Sequence, residues 1–181
     1  MCCKIMRNVE LGKPPGVWCT HVANNSCSIY ATKPRECTVF YCNYLRYAHL
    51  PEEWKPSVSK IVLVDELGGK RLTAYVDPGR PDAWRQHPYY AVLKFWAHNA
   101  VKNRGEVMAV VAGHTYMILP DRDVDLGVLG DDDVIVTVER STKFGVTHDV
   151  MKMHKDDPRA VAIMAKKKAE AEAAAAAPQT T

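Results

Sequence analysis

Six cysteines stand at positions 2, 3, 19, 27, 37 and 42 of this 181-residue chain, and none follows in the remaining three quarters. Thiols used only for packing would recur in later core segments; a set confined to one end points to a shared task. In a reducing compartment that task is metal ligation, because structural disulfides are rare there. Zinc and iron–sulfur centres are held by thiolates, usually four to a centre, with histidine an occasional substitute. Cys2, Cys3, Cys19, Cys27, Cys37 and Cys42, joined by His21, are therefore the candidate metal ligands. Cys19 and His21 lie two residues apart. Cys37 and Cys42 are separated by four residues, which one helical turn or a tight loop would aim at one centre. Cys2 and Cys3 are adjacent and chelate one ion poorly, so either one binds while the other supports it, or each reaches a different metal.

The spacing is not a standard zinc-finger pattern, since no C-x-x-C pair occurs. Free cysteines packed as small hydrophobes are the competing reading. A thiolate-rich site carries negative charge and needs nearby cations or N–H donors. Lys4, Arg7, Lys33 and Arg35 are the cations expected to serve, and Trp18, Tyr30, Phe40, Tyr41 and Tyr44 the aromatics expected to limit water.

The elements around these residues look irregular. Lys13-Pro14-Pro15-Gly16 reads as a turn or extended stretch and Asn24-Asn25-Ser26 as a second loop. A segment so poor in regular structure holds itself together best if metal binding supplies folding energy. The expected organisation is a cysteine-cluster module over residues 1–50, an α+β domain over 51–155, and an Ala/Lys/Glu-rich helical tail over 156–181, partly disordered.

Within the middle region, Ser59 to Asp65 reads as a buried strand, Gly68-Gly69 as a turn, and Arg71 to Val76 as the hairpin partner. A helix is expected between Pro88 and Gly105, with Leu93, Trp96, Ala97 and Ala100 on one apolar face. Residues 106–111 and 115–119 make a second hairpin across Ala112-Gly113-His114. Asp131 to Asp133 mark a loop, Val134 to Val138 a strand, and Gly145 to Val150 a half-exposed strand. The fold class expected is α+β, a small and mostly antiparallel sheet with one packed helix. Asp157-Pro158 then signals a helix start, with little large apolar surface beyond Met164.

The net charge of +3 is small and the basic residues are spread, which argues against a nucleic-acid surface. No apolar run approaches the roughly 18 residues of a membrane span, and the first residues lack the apolar stretch of a secretory signal. A cytoplasmic location, with a metal ion as partner and neither nucleic acid nor membrane, is the expectation. Glycine-rich phosphate loops are absent. His87, His98, His114 and His148 are scattered, without H-E-x-x-H spacing, so no catalytic residue is assigned. Asp121 to Gly127 has part of a calcium loop's acidic spacing but not its glycine or distant glutamate, and is expected to be a solvated turn.

The stretch from Cys27 to Cys42, with Ile29, Tyr30, Pro34, Cys37 and Phe40 in order, resembles the C-x-I-Y-x-x-R-P-x-x-C-x-x-F-x-C element of the zinc- or iron-chelating, YkgJ-type cysteine-cluster family. Cys2-Cys3, followed by Lys4 and Ile5, match the closing pair of that family's leading C-x-x-C-x-x-C-C segment, and Cys19 matches its intermediate cysteine. The resemblance covers residues 2–45, with Lys33 where the family has arginine. It implies chelation of zinc or iron, a 4Fe-4S cluster being one form, and no settled enzymatic activity; the alternative roles are redox or electron transfer through such a cluster and, ranked below it, an uncharacterised enzyme. The C-x-x-C half of the leading segment has no counterpart before Cys2, which predicts a start further upstream with two more cysteines.

Overall fold

In the computed structural model, which describes residues 1–143 and 145–176, the first sixty residues hold only short elements. These are α1 (Cys2–Ile5), a two-residue hairpin of β1 (Val22–Ala23) and β2 (Ser26–Cys27), α2 (Arg35–Val39), α3 (Asn43–Arg46) and α4 (Pro56–Ser59). The hairpin turns at Asn24 and Asn25, both at positive φ (49° and 60°), a conformation that asparagine tolerates better than most residues.

A five-stranded sheet follows, with β3 (Ile61–Glu66), β4 (Arg71–Val76), α5 (Tyr89–Lys102), β5 (Glu106–Val111), β6 (His114–Ile118) and β7 (Asp123–Val128). The strands lie in the order β3-β4-β5-β6-β7. The α+β class holds. β3–β4 and β5–β6 are antiparallel, as their short connections require, and the second of these turns uses Ala112 and Gly113 at positive φ. β4 and β5 are parallel, with Arg71 opposite Glu106 and Val76 opposite Val111. Two parallel neighbours need a long crossover, and α5 supplies it.

Ile61-Val62-Leu63-Val64 is apolar at every position because the two faces of β3 are both covered. Ile61 and Leu63 join Ala74, Val76, Leu93, Ala97, Val107, Ala109 and Ile118 in the main core under α5, with Trp54 and Trp84. Val62 and Val64 face the other way and pack with Ile5, Cys42, Met6 and Phe40. The cysteine segment is thus a layer on the outer face of the sheet, and the helix is the layer on the inner one. Leu93 and Ala97 are buried, with Trp96 and Ala100 beside them, which matches the face expected for the helix.

The solvated turn expected at Asp121 to Gly127 is corrected: Asp123–Val128 is an edge strand. Its acidic residues are tolerated because Lys94 of α5 pairs with Asp123 at 2.8 Å and His114 of β6 pairs with Asp125 at 2.6 Å.

The chain divides into two compact units, Met1–Gly127 and the residues from Val128 onward. The second holds β8 (Asp133–Thr142), β9 (Gly145–His154) and α6 (Pro158–Ala176). β8 and β9 form a long antiparallel hairpin. Alternation along β8 puts Val134, Val136 and Val138 on one face with Met153, against Ala160 and Ile163 of α6. The Asp157 carboxylate accepts from Arg159 N at 2.8 Å and caps this helix as expected. Of the 156–181 tail expected to be partly disordered, residues 177–181 lie outside the described residues. Among the described residues no helix is long and apolar enough to cross a membrane.

Candidate metal centre

α1 places Cys2 and Cys3 at the start of the layer, and the Cys3 carbonyl accepts a hydrogen bond from Cys19 N at 2.9 Å. This bond draws a residue sixteen positions away back to the first turn. His21 lies just before β1, and its carbonyl accepts from both the amide and the hydroxyl of Ser28, closing the small hairpin that carries Cys27. Cys37 is in α2, and Cys42 is the residue before α3.

The start of α2 is held from elsewhere in the chain. The Glu10 carboxylate accepts from Glu36 N at 2.8 Å and Arg35 N at 3.3 Å, while Glu36 in turn accepts from Val9 N at 2.7 Å. Two orphan donors of a helix that lacks its own cap are satisfied this way. Asn8 adds a second tie: its carboxamide oxygen accepts from Leu11 N at 2.8 Å, and its amide donates to Cys37 Sγ at 3.3 Å.

The layer is fastened to the sheet by polar contacts at two places. Lys4 Nζ lies 2.7 Å from Asp77 at the end of β4. Asn43 and Tyr47 donate to the two oxygens of Asp65 in β3, at 2.9 and 2.7 Å. Gly16 touches Pro78 so closely that an added Cβ would stand 2.6 Å from the ring.

All six cysteines and His21 border one cavity of about 580 Å³. They reach it from five separate stretches: α1, the loop before β1, β2, α2 and the approach to α3. A sphere of that volume is about 10 Å across, against the 2.0–2.3 Å between zinc and its ligand atoms. In keeping with that difference, among the described residues no three His, Cys, Asp or Glu side chains stand close enough together to hold an ion as placed. The donors share a wall without yet converging on a point.

The electrostatics of the wall is that of crowded thiols. The interaction with the neighbouring Cys3 thiol, against burial, lowers the Cys2 thiol to about 6; the same interaction, with burial, pushes Cys3 upward. Burial raises Cys37, and Cys19, Cys27, Cys2 and Glu36 raise it further. Each thiolate therefore opposes its neighbours, and a cation among them relieves all of these repulsions at once.

The expected neighbours are only partly in place. Arg7 and Lys33 border the cavity, Lys33 with its ammonium 4.2 Å from the Tyr30 ring centre, and Tyr30, Phe40 and Tyr41 line it as expected. Lys4 instead belongs to Asp77, and Tyr44 packs against the sheet. A further cation on the cavity wall is Lys13, which its place in a proline turn did not single out. It is buried, and its Nζ donates to the carbonyls of Lys4, Met6 and Pro14. Asn8, Glu10 and Lys13 act over 25 or more residues or through burial, and no local pattern marks such roles.

Outside the layer, His114 stacks on Tyr116 with ring centres 4.8 Å apart, and Arg85 lies over the Trp84 and Tyr116 rings. The cluster is ionic and aromatic packing at the β6–β7 edge. No family model, curated protein or solved structure matches the chain, so the cavity has to be interpreted from its own residues.

Proposed function

We propose that this protein binds metal, chelating zinc or iron through its N-terminal cysteines in a structural or metal-handling role. The observation that carries the reading is the meeting of Cys2, Cys3, Cys19, Cys27, Cys37, Cys42 and His21 at one cavity from five stretches of chain. Cysteines kept as small hydrophobes would be dispersed through the main core, which contains none of them; Cys42 alone is buried, in the smaller cluster with Ile5 and Val62. The donor set suits soft or borderline metals: thiolates and imidazole, without a carboxylate cage. Seven donors exceed the four of one tetrahedral zinc or one cubane cluster. Metal binding then draws a chosen four inward from the wall, which couples ligation to ordering of the layer. The resemblance of residues 2–45 to the YkgJ-type cysteine-cluster family supports the same reading, and the free thiols fit a reducing, cytoplasmic setting.

Metal analysis of the full chain purified without oxygen tests this. Zinc or iron in stoichiometric amount is expected, and is lost when Cys19, Cys27 and Cys37 are replaced together by serine. A brown protein with broad visible absorption assigns an iron–sulfur cluster and opens an electron-transfer role; colourless zinc protein closes it. Protein that carries neither metal and is unchanged by chelator refutes the proposal.

A further inference from the structure

Lys13 cannot be a ligand, because an ammonium has no lone pair to give. Nevertheless it is only 8% exposed and lines the cavity. Its three N–H bonds go to the carbonyls of Lys4, Met6 and Pro14, which fixes the nitrogen in the wall. Those acceptors are neutral, and no carboxylate among the described residues pairs with it. A buried charge left without an opposite charge is costly. Two neighbouring cations avoid that cost, Lys4 through Asp77 and Lys33 over the exposed Tyr30 ring. Burial pushes the Lys13 ammonium below its ordinary value, and the opposing groups are the sulfurs of Cys19, Cys3, Cys2 and Cys37, whose negative charge favours the charged form.

We infer that Lys13 is the built-in counter-charge of the centre, and that the cavity therefore holds a net anion: a metal gripped by three or more thiolates. The inference rests on the metal-binding reading and sharpens its ligand set. A zinc ion with two thiolates and two neutral donors has no net charge and leaves the ammonium uncompensated. Each further thiolate adds one negative charge. Lys13 is a positioning residue: it favours the deprotonated ligands without touching the metal.

The test compares the full chain with Lys13→Gln and Lys13→Arg, each loaded with Zn²⁺ without oxygen and acidified stepwise while an indicator reports released zinc. Protons compete with metal for thiolate, so loss of the neighbouring cation is expected to move release about one pH unit upward, roughly tenfold in proton concentration. Lys13→Arg keeps the charge and is expected to release near the native pH. Equal release pH for Lys13→Gln and the native chain overturns the inference. So does an arginine variant as impaired as the glutamine one, since the side chain would then serve only to tie the three carbonyls. A measurement on the native chain alone covers misfolding of either variant: alkylation of the zinc-loaded protein is expected to spare three or more thiols. Two or fewer spared thiols describe a neutral centre and overturn it. A native chain holding neither zinc nor iron fails at the first step and removes the metal-binding reading itself.

Discussion

Replacement of Asp77 by alanine is expected to loosen the cysteine layer from the sheet and to do so in a pH-dependent way. The Asp77 carboxylate lies 2.7 Å from Lys4 Nζ and accepts from Gly79 N at 2.9 Å, with its side chain 6% exposed and that of Lys4 22% exposed. Removing one partner of a fully buried pair costs about 3–5 kcal/mol, because the other charge stays behind. Lys4 keeps some access to water, so its stranded charge costs less, while the Gly79 amide loses a charged acceptor. The expected loss is about 2 kcal/mol at neutral pH, read as a shift of the urea midpoint of the metal-free chain at constant slope.

The sign of the pH dependence follows from the carboxyl itself. Burial would raise it, but the hydrogen bonds from Lys4 and Gly79 and the charges of Lys4 and Lys60 together hold it below the ordinary aspartate value. A group depressed on folding stabilises fully above its unfolded value, near 3.9, and loses that contribution as pH falls through the folded one. The difference between the native chain and Asp77→Ala is therefore expected to be constant from pH 7 to about 5 and to shrink below about 4. A difference under about 0.5 kcal/mol at pH 7, or one that grows on acidification, refutes the docking role given to this pair.

Ile5→Ala removes a side chain buried between α1 and Val62 and is expected to cost roughly 2–4 kcal/mol by urea unfolding, with faster alkylation of Cys42 from the same cluster. Asn8→Ala deletes the donor to Cys37 Sγ; a higher rate of Cys37 labelling relative to Cys27, followed by mass spectrometry, is expected at unchanged far-UV circular dichroism. Gly16→Ala combines φ +78° with a Cβ 2.6 Å from Pro78 and is expected to lower the melting temperature by several degrees, about 1–3 kcal/mol of strain. With Cys2 lowered to about 6, the adjacent pair is expected to react with iodoacetamide well below pH 8 in metal-free protein; a half-maximal rate above pH 8 contradicts the coupling of the two thiols.

Local periodicity and turn chemistry carry most of the secondary structure of this chain. Arg71 to Val76 pairs with Ile61 to Glu66, Ala112-Gly113 turns between β5 and β6, and Asp157 caps α6, each as its own residues dictate. Those signals act within a few positions of one another, where sequence and geometry are nearly the same thing. β7 escapes them because Asp123 and Asp125 look solvated until Lys94 and His114 arrive from other elements. The parallel β4–β5 pair likewise depends on how α5 returns the chain, which no strand pattern encodes.

The cysteines show the same division. Their number and their confinement to the first 42 residues are properties of the sequence by itself. That five stretches turn them toward one cavity, on the outer face of β3, is settled by long-range contacts: Cys19 to Cys3, Glu10 to α2, Asn43 to Asp65. Lys13 is the extreme case. A lysine in a proline turn belongs in water by composition, and only the packing of the layer around its three carbonyl partners makes it a buried charge on the cavity that the thiols line. Sequence lists the donors; burial and distance, which exist only in the folded chain, decide which of them meet and what charge they meet beside.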